Sequence, residues 1–169
     1  MRNTPFAALA AALTLAACTP AAQPLSPADE TAIRATLDAF VTAANTNDVD
    51  RMTAVFASDA TLYPNGMPAA VGHEAIRKVW TDLTGAMRVQ KFTTTTTKVA
   101  GQGDVAYVTG TYHLEATTAD SNHVAIPTED GKYVEVLWRQ ADKSWKVVAD
   151  SWNTNVMPAA PAAPAAVRH

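Results

Sequence analysis

Glu135 and Asp150 have the residue types and the spacing for proton chemistry, because the two apolar runs that contain them, Lys132 to Gln140 and Trp145 to Thr154, can fold back on each other. Two adjacent carboxyls can divide the roles of acid and base between them. If Asp142-Lys143 forms the turn, Glu135 lies opposite Asp150 and Arg139 opposite Lys146. Like charges directly opposed are unfavourable, so the register either shifts through a bulge or the charged face meets a second subunit. Alternation decides which way the carboxyls point. One face carries Val134, Val136, Trp138, Trp145, Val147, Ala149, Ser151 and Asn153, and the other carries Tyr133, Glu135, Leu137, Arg139, Lys146, Val148, Asp150 and Trp152. The greasier first face is expected to turn inward, leaving Glu135 and Asp150 as a solvated outer pair.

The histidines offer less. His113 alternates with Tyr112 and Leu114, which puts it on the outer face, and His73 opens a helix beside Glu74. With His123 in a loop, these lie in unrelated elements, so no metal site is expected, nor any cofactor. Cys18 is the sole cysteine, which excludes disulfides, zinc-thiolate sites and a cysteine nucleophile from the folded part.

The elements that must position these groups divide into helices first and strands afterward. Ser26-Pro27-Ala28-Asp29-Glu30 supplies a capping hydroxyl, a proline at the first helical position and first-turn acids, followed by an apolar stripe at Ile33, Leu37, Phe40, Val41 and Ala44. The spacing predicts a helix to about Thr46. A shorter one follows, capped by Asn47-Asp48, and a third runs from about His73 to Thr84, stopped by Gly85. Asp59 to Tyr63 reads as a short strand broken by Pro64-Asn65-Gly66-Met67-Pro68. From Arg88 the residues become β-branched and aromatic, giving strands at Lys91–Val99, Val105–Thr117, Lys132–Gln140 and Trp145–Thr154, with a loop from Ala119 to Asp130. This order predicts an α+β fold: three N-terminal helices covering one face of a curved, mostly antiparallel sheet.

Residues 1–17 read as a secretory signal, with Arg2 ahead of an apolar run from Phe6 to Ala17 that is too short to span a bilayer. Leu15-Ala16-Ala17-Cys18 resembles a bacterial lipobox, which implies lipidation of Cys18 and a lipid-anchored envelope protein, on the periplasmic side of the outer membrane in a Gram-negative cell because Thr19 follows the cysteine. Residues 18–25 are expected to be a tether, 26–156 the domain and 157–169 a Pro/Ala-rich tail. Net charge is −3 and the 13 basic residues are scattered, which argues against a nucleic-acid partner.

Asp59-Ala60-Thr61-Leu62, Gly72-His73-Glu74-Ala75-Ile76-Arg77 and Trp145-Lys146-Val147-Val148-Ala149-Asp150-Ser151-Trp152-Asn153, in this element order, resemble the SnoaL-like branch of the nuclear transport factor 2-like superfamily. The resemblance implies a cone-shaped half barrel enclosing a blind pocket, in a superfamily that holds both enzymes and non-catalytic binding domains. Its ketosteroid isomerases need a helix Tyr, a base after the first strand and a protonated strand Asp, and the matching positions are Phe40, Pro64 and about Val136. Its epoxide hydrolases share the Tyr63 and Asn65 spacing, but their base falls at Asn153, and their strand Arg and Asp are absent from Thr109-Gly110-Thr111-Tyr112-His113. SnoaL-like cyclases also place an Asp where Asn153 stands, and an amide is not a base. The resemblance therefore implies a ligand pocket with polar anchors Tyr63, Asn65 and Asn153, walled by Trp80, Tyr112 and Trp138, which serve equally as core.

The expectation is a small apolar ligand bound in a homodimer that pairs through the outer sheet face, with no usual catalytic group in the pocket. The alternatives are a hydrolase or isomerase using His113 or Asp150 in a non-standard way, and a protein-interaction module with a filled cavity.

Overall fold

The computed structural model describes residues 23–156. The expected signal, Cys18 and the tail at 157–169 lie outside the described residues. The helices are α1 (Pro27–Asn45), α2 (Val49–Ala54) and α3 (Gly72–Ala86), and the strands are β1 (Phe56–Tyr63), β2 (Ala70–Val71), β3 (Met87–Gln102), β4 (Val105–Thr118), β5 (Ala125–Arg139) and β6 (Trp145–Thr154). One six-stranded sheet has the order β2-β1-β6-β5-β4-β3, antiparallel throughout except for the parallel pair β1 and β6. The α+β class and the helices-on-sheet layering follow the sequence reading.

α1 starts where its chemistry says it must. Ser26 Oγ accepts from Asp29 N at 3.2 Å, while the Asp29 carboxylate takes the Ser26 N–H at 3.1 Å, a reciprocal box ahead of Pro27. Ile33, Leu37, Ala43 and Ala44 are its buried side. At its end, two asparagines replace the strand that the edge strand β3 lacks. Asn45 exchanges two hydrogen bonds with the Phe92 backbone, both at 2.8 Å, and Asn47 does the same with Val89, at 3.0 and 3.3 Å. They fix the helices across the sheet and hold open the space between.

Several boundaries move. α3 runs through Gly85 to Ala86, the β3–β4 hairpin is longer than expected at both ends, and β5 begins at Ala125, so the predicted loop shrinks to residues 119–124. Gln23 to Leu25, expected as tether, are held against the domain: Pro24 bridges Gln102, Gly103 N donates to Gln23 O at 2.8 Å, and Leu25 packs on the core.

The largest correction concerns the last hairpin. Glu135 does pair with Asp150, but Arg139 pairs with Trp145 rather than Lys146, because Val136 faces Ala149 while Leu137 faces Val147. Val148 is the extra residue, a β-bulge that inverts the parity of β6 along its length. Trp145 and Val147 therefore share the inner face with Asp150 and Trp152, and on β5 the inner residues are Tyr133, Glu135 and Leu137. Val134 and Trp138, expected inside, are half exposed.

Candidate functional site

Between the helices and the inner sheet face lies a cavity of about 230 Å³. α1 contributes Leu37, Phe40, Val41 and Ala44, α2 Met52, and α3 Trp80, Leu83 and Thr84. β3 adds Met87, Val89, Phe92 and Thr94, and β4 adds Tyr112 and Leu114. The aromatic wall is continuous: Trp80 stacks on Trp152 with centroids 5.5 Å apart, Phe40 is 5.3 Å from Trp80, and Phe92 lies 6.1 Å from both Phe40 and Tyr112. Exposed Asn65 and Met67, in the turn after β1, mark the mouth.

Two glycines keep the sheet side of this cavity clear. A Cβ on Gly131 would sit 2.2 Å from the Tyr112 ring, its cross-strand neighbour, and one on Gly110 would sit 2.5 Å from the Tyr133 hydroxyl. Each tyrosine therefore lies over a glycine rather than standing up into the space. The Tyr112 hydroxyl donates to Glu129, and burial together with that carboxylate pushes its phenol pKa up; Tyr133 meets the Thr96 hydroxyl at 3.2 Å.

Glu135 and Asp150 are the ionisable groups set deepest in this apolar surrounding. Asp150 is 7% exposed, and Glu135 Oε2 is shut off from solvent with no hydrogen-bond partner. Burial raises the Asp150 pKa to about 7, and burial plus the neighbouring Asp150 charge raises Glu135 well above the usual carboxyl range. Both shifts favour the protonated forms, so near neutral pH a carboxyl of the pair can give a proton and, once ionised, receive one. The expectation of a cavity without a proton-accepting group is overturned. The expected orientation fails because the bulge at Val148 puts Trp145 and Val147 on the same face as Glu135 and Asp150, making that face the inward one.

The residues expected to line a pocket divide evenly. Trp80, Tyr112 and Asn65 border the cavity. Tyr63 is 51% exposed on the outer side of β1, Trp138 is 49% exposed, and Asn153 is exposed, so none of these three is part of it. Tyr63 follows Leu62, which takes the inward position, and Asn153 follows the inward Trp152. The sequence reading missed Trp152, Tyr133, Glu129 and the carboxyl pair as cavity residues. The signal that pointed to the pair was the opposition of Glu135 and Asp150 itself.

The histidines lie elsewhere. On the outer face His113 contacts Asp130 at 2.8 Å and Glu115 at 3.2 Å, and these carboxylates raise its pKa. His73 Nε2 is 2.8 Å from the Phe56 carbonyl. Among the described residues no group of three or more His, Cys, Asp and Glu side chains could hold a metal ion.

Residues 37–147 match the SnoaL-like domain family. No curated protein sequence matches the chain. Among solved structures it is similar to a ketosteroid isomerase-like protein from Erwinia carotovora atroseptica, with TM-score 0.71 and 20% identity over 78% of this chain and 100% of that one. A nuclear transport factor 2-like superfamily protein from Salmonella enterica serovar Typhimurium gives TM-score 0.64 and 12% identity over 76% and 92% of the two chains. A protein from Catenulispora acidiphila, solved in complex with S-DNPA, gives 0.62 and 14% over 76% and 95%. At these identities the likeness is one of fold.

Proposed function

The chain belongs to the SnoaL-like domain family, and we propose that its cavity takes up a small, predominantly apolar molecule whose polar group meets the Glu135–Asp150 pair. One observation carries this reading: Glu135 and Asp150, neither of which makes a side-chain hydrogen bond, sit in a chamber walled mostly by Leu, Phe, Met, Val and Trp. A buried polar group left unpaired is costly, and a ligand that satisfies it recovers that cost.

The test is titration with the neutral fluorophore N-phenyl-1-naphthylamine. Saturable binding to the wild-type domain, lost in Leu114→Trp with unchanged circular dichroism, supports the proposal. Equal fluorescence with both proteins contradicts it.

The same pair favours a second reading, acid–base catalysis on the bound molecule. Burial raises both pKa values, so one carboxyl of the pair, still protonated, can donate to an oxygen while the other accepts a proton from carbon or water. Asp150-dependent deuterium uptake by apolar ketones in heavy water, followed by NMR, supports this reading, and exchange at the same rate in Asp150→Asn contradicts it.

We further propose that lipidation at Cys18 anchors the domain in the bacterial envelope, on the periplasmic side of an outer membrane. Supporting this is the tetrad Leu15-Ala16-Ala17-Cys18 after an apolar run. Labelled palmitate incorporated into the wild type and absent from Cys18→Ala checks it. A homodimer through the outer sheet face is proposed on different residues from those first expected. Tyr133, Leu137 and Trp152 face inward, and the outer patch is Val105, Tyr107, Val134, Val136 and Trp138, joined across β4 and β5 by the pairs Val105–Trp138 and Tyr107–Val136.

A further inference from the structure

We propose that the polar group of the cavity's ligand is a cation, a protonated amine on an apolar body, held by Glu135 and Asp150 and by the aromatic wall. This deepens the binding reading above and rests on it. The cavity lining holds three carboxyls, Glu129, Glu135 and Asp150, and no Lys, Arg or His. An anion entering it would meet like charge with no compensating donor beyond hydroxyls, amides and indoles, so carboxylates and phosphates are excluded.

Two observations favour a cation over a neutral oxygen compound. Asp150 is buried and makes no hydrogen bond, and Glu135 Oε2 has no partner either, so what these carboxyls lack is a donor, while the lining Trp80 indole N–H is left without an acceptor. An ammonium supplies three donors and the opposite charge together. Trp80, Trp152, Phe40 and Phe92 line the same cavity as those carboxyls, and a desolvated cation gains from contact with aromatic rings.

Proton linkage gives the proposal a signature. The titratable groups facing the pair are Tyr112 from β4 and Glu129 and Tyr133 from β5, while the lining residues of α1, α2, α3 and β3 contribute none. Tyr112 and Tyr133 have raised pKa values and stay neutral across the range used. An ammonium binds best to ionised Asp150, so its affinity rises with pH through about 7. A neutral ligand accepting a hydrogen bond from the protonated carboxyl shows the opposite slope.

The experiment is calorimetry with three probes of one shape, 2-naphthylmethylammonium, 2-naphthylmethanol and 2-naphthoate. At pH 8 the ammonium compound is expected to bind at least about tenfold tighter than the alcohol, with no measurable binding of the carboxylate. Between pH 8 and pH 6 the ammonium affinity falls about tenfold, as the ionised fraction of a group with pKa near 7 requires. Asp150→Asn, checked for folding by circular dichroism, removes both the preference and the slope while still binding the alcohol. Alcohol binding as tightly as the amine, carboxylate binding tightest, or none of the three binding while N-phenyl-1-naphthylamine does, overturns the amine assignment alone. Failure of that fluorophore as well overturns the binding reading beneath it.

Discussion

Replacing Asp150 by Asn removes a charge that the fold holds at a cost, and the change in stability should depend on pH in a calculable way. The folded-state pKa of Asp150 is raised from 3.8 to about 7. Each pKa unit corresponds to about 1.4 kcal/mol, so ionising this group inside the cavity costs up to about 4 kcal/mol. The folded state binds this proton more tightly than the unfolded chain does. Stability is therefore lost as pH rises from about 4, where the unfolded Asp ionises, to about 7, where the folded one does, and then levels off. Asparagine has nearly the same shape and no charge at any pH. Part of the gain is forgone because the amide still lacks partners, so the expected stabilisation is about 2 kcal/mol at pH 8, shrinking to within about 1 kcal/mol of wild type at pH 4.5. Urea denaturation followed by tryptophan fluorescence at both pH values measures the difference, and unchanged m-values confirm a common unfolded state. A gain of equal size at the two pH values, or a variant less stable than wild type at pH 8, refutes a buried, charge-penalised Asp150.

Gly131→Ala should drive the Tyr112 ring off the sheet and into the cavity, costing about 1–3 kcal/mol and weakening N-phenyl-1-naphthylamine binding, both measurable on one preparation. Trp138→Glu places a charge in the middle of the outer apolar patch, so sedimentation velocity should show the wild-type dimer converted to monomer with the thermal transition retained. Loss of the fold instead would mean that Trp138 packs within its own subunit.

The fold was legible because its signals are local. Ser26 and Pro27 start α1, Asp48 caps α2, the Pro64–Pro68 turn ends β1, and the β-branched run from Arg88 onward can make only strands. The ends of elements were less so: α3 passes through Gly85, which adopts helical backbone there, and β5 recruits Ala125–Gly131 by pairing with β4. The site was half legible. Trp80 lies on an amphipathic helix whose period is unambiguous, and Tyr112 precedes the outward His113, so the expected burial of both agrees with the structure. Tyr63, Trp138 and Asn153 were not. The placement of Trp138 and Asn153 depended on counting apolar residues on the two faces of the ribbon, which assumes that the inner face is the greasier one. Here the inner face borders a chamber that needs polar groups, the outer face carries Val134 and Trp138, and the inversion hinges on the single bulged residue Val148. A bulge leaves no local composition mark. Its one trace was that, in a regular ribbon, Arg139 and Lys146 would also have stood face to face, and the bulge removes that opposition while keeping Glu135 against Asp150.

The account depends most on a carboxyl pair that still holds a proton at neutral pH within an apolar cavity. Side-chain carboxyl carbon NMR of the labelled domain, titrated from pH 3 to pH 9 with Glu135→Gln and Asp150→Asn for assignment, reads this directly. The structure predicts Asp150 titrating near 7 and Glu135 well above the usual carboxyl range, each shifted when the other is neutralised. Both carboxyls titrating near 4, independently of one another, would contradict it.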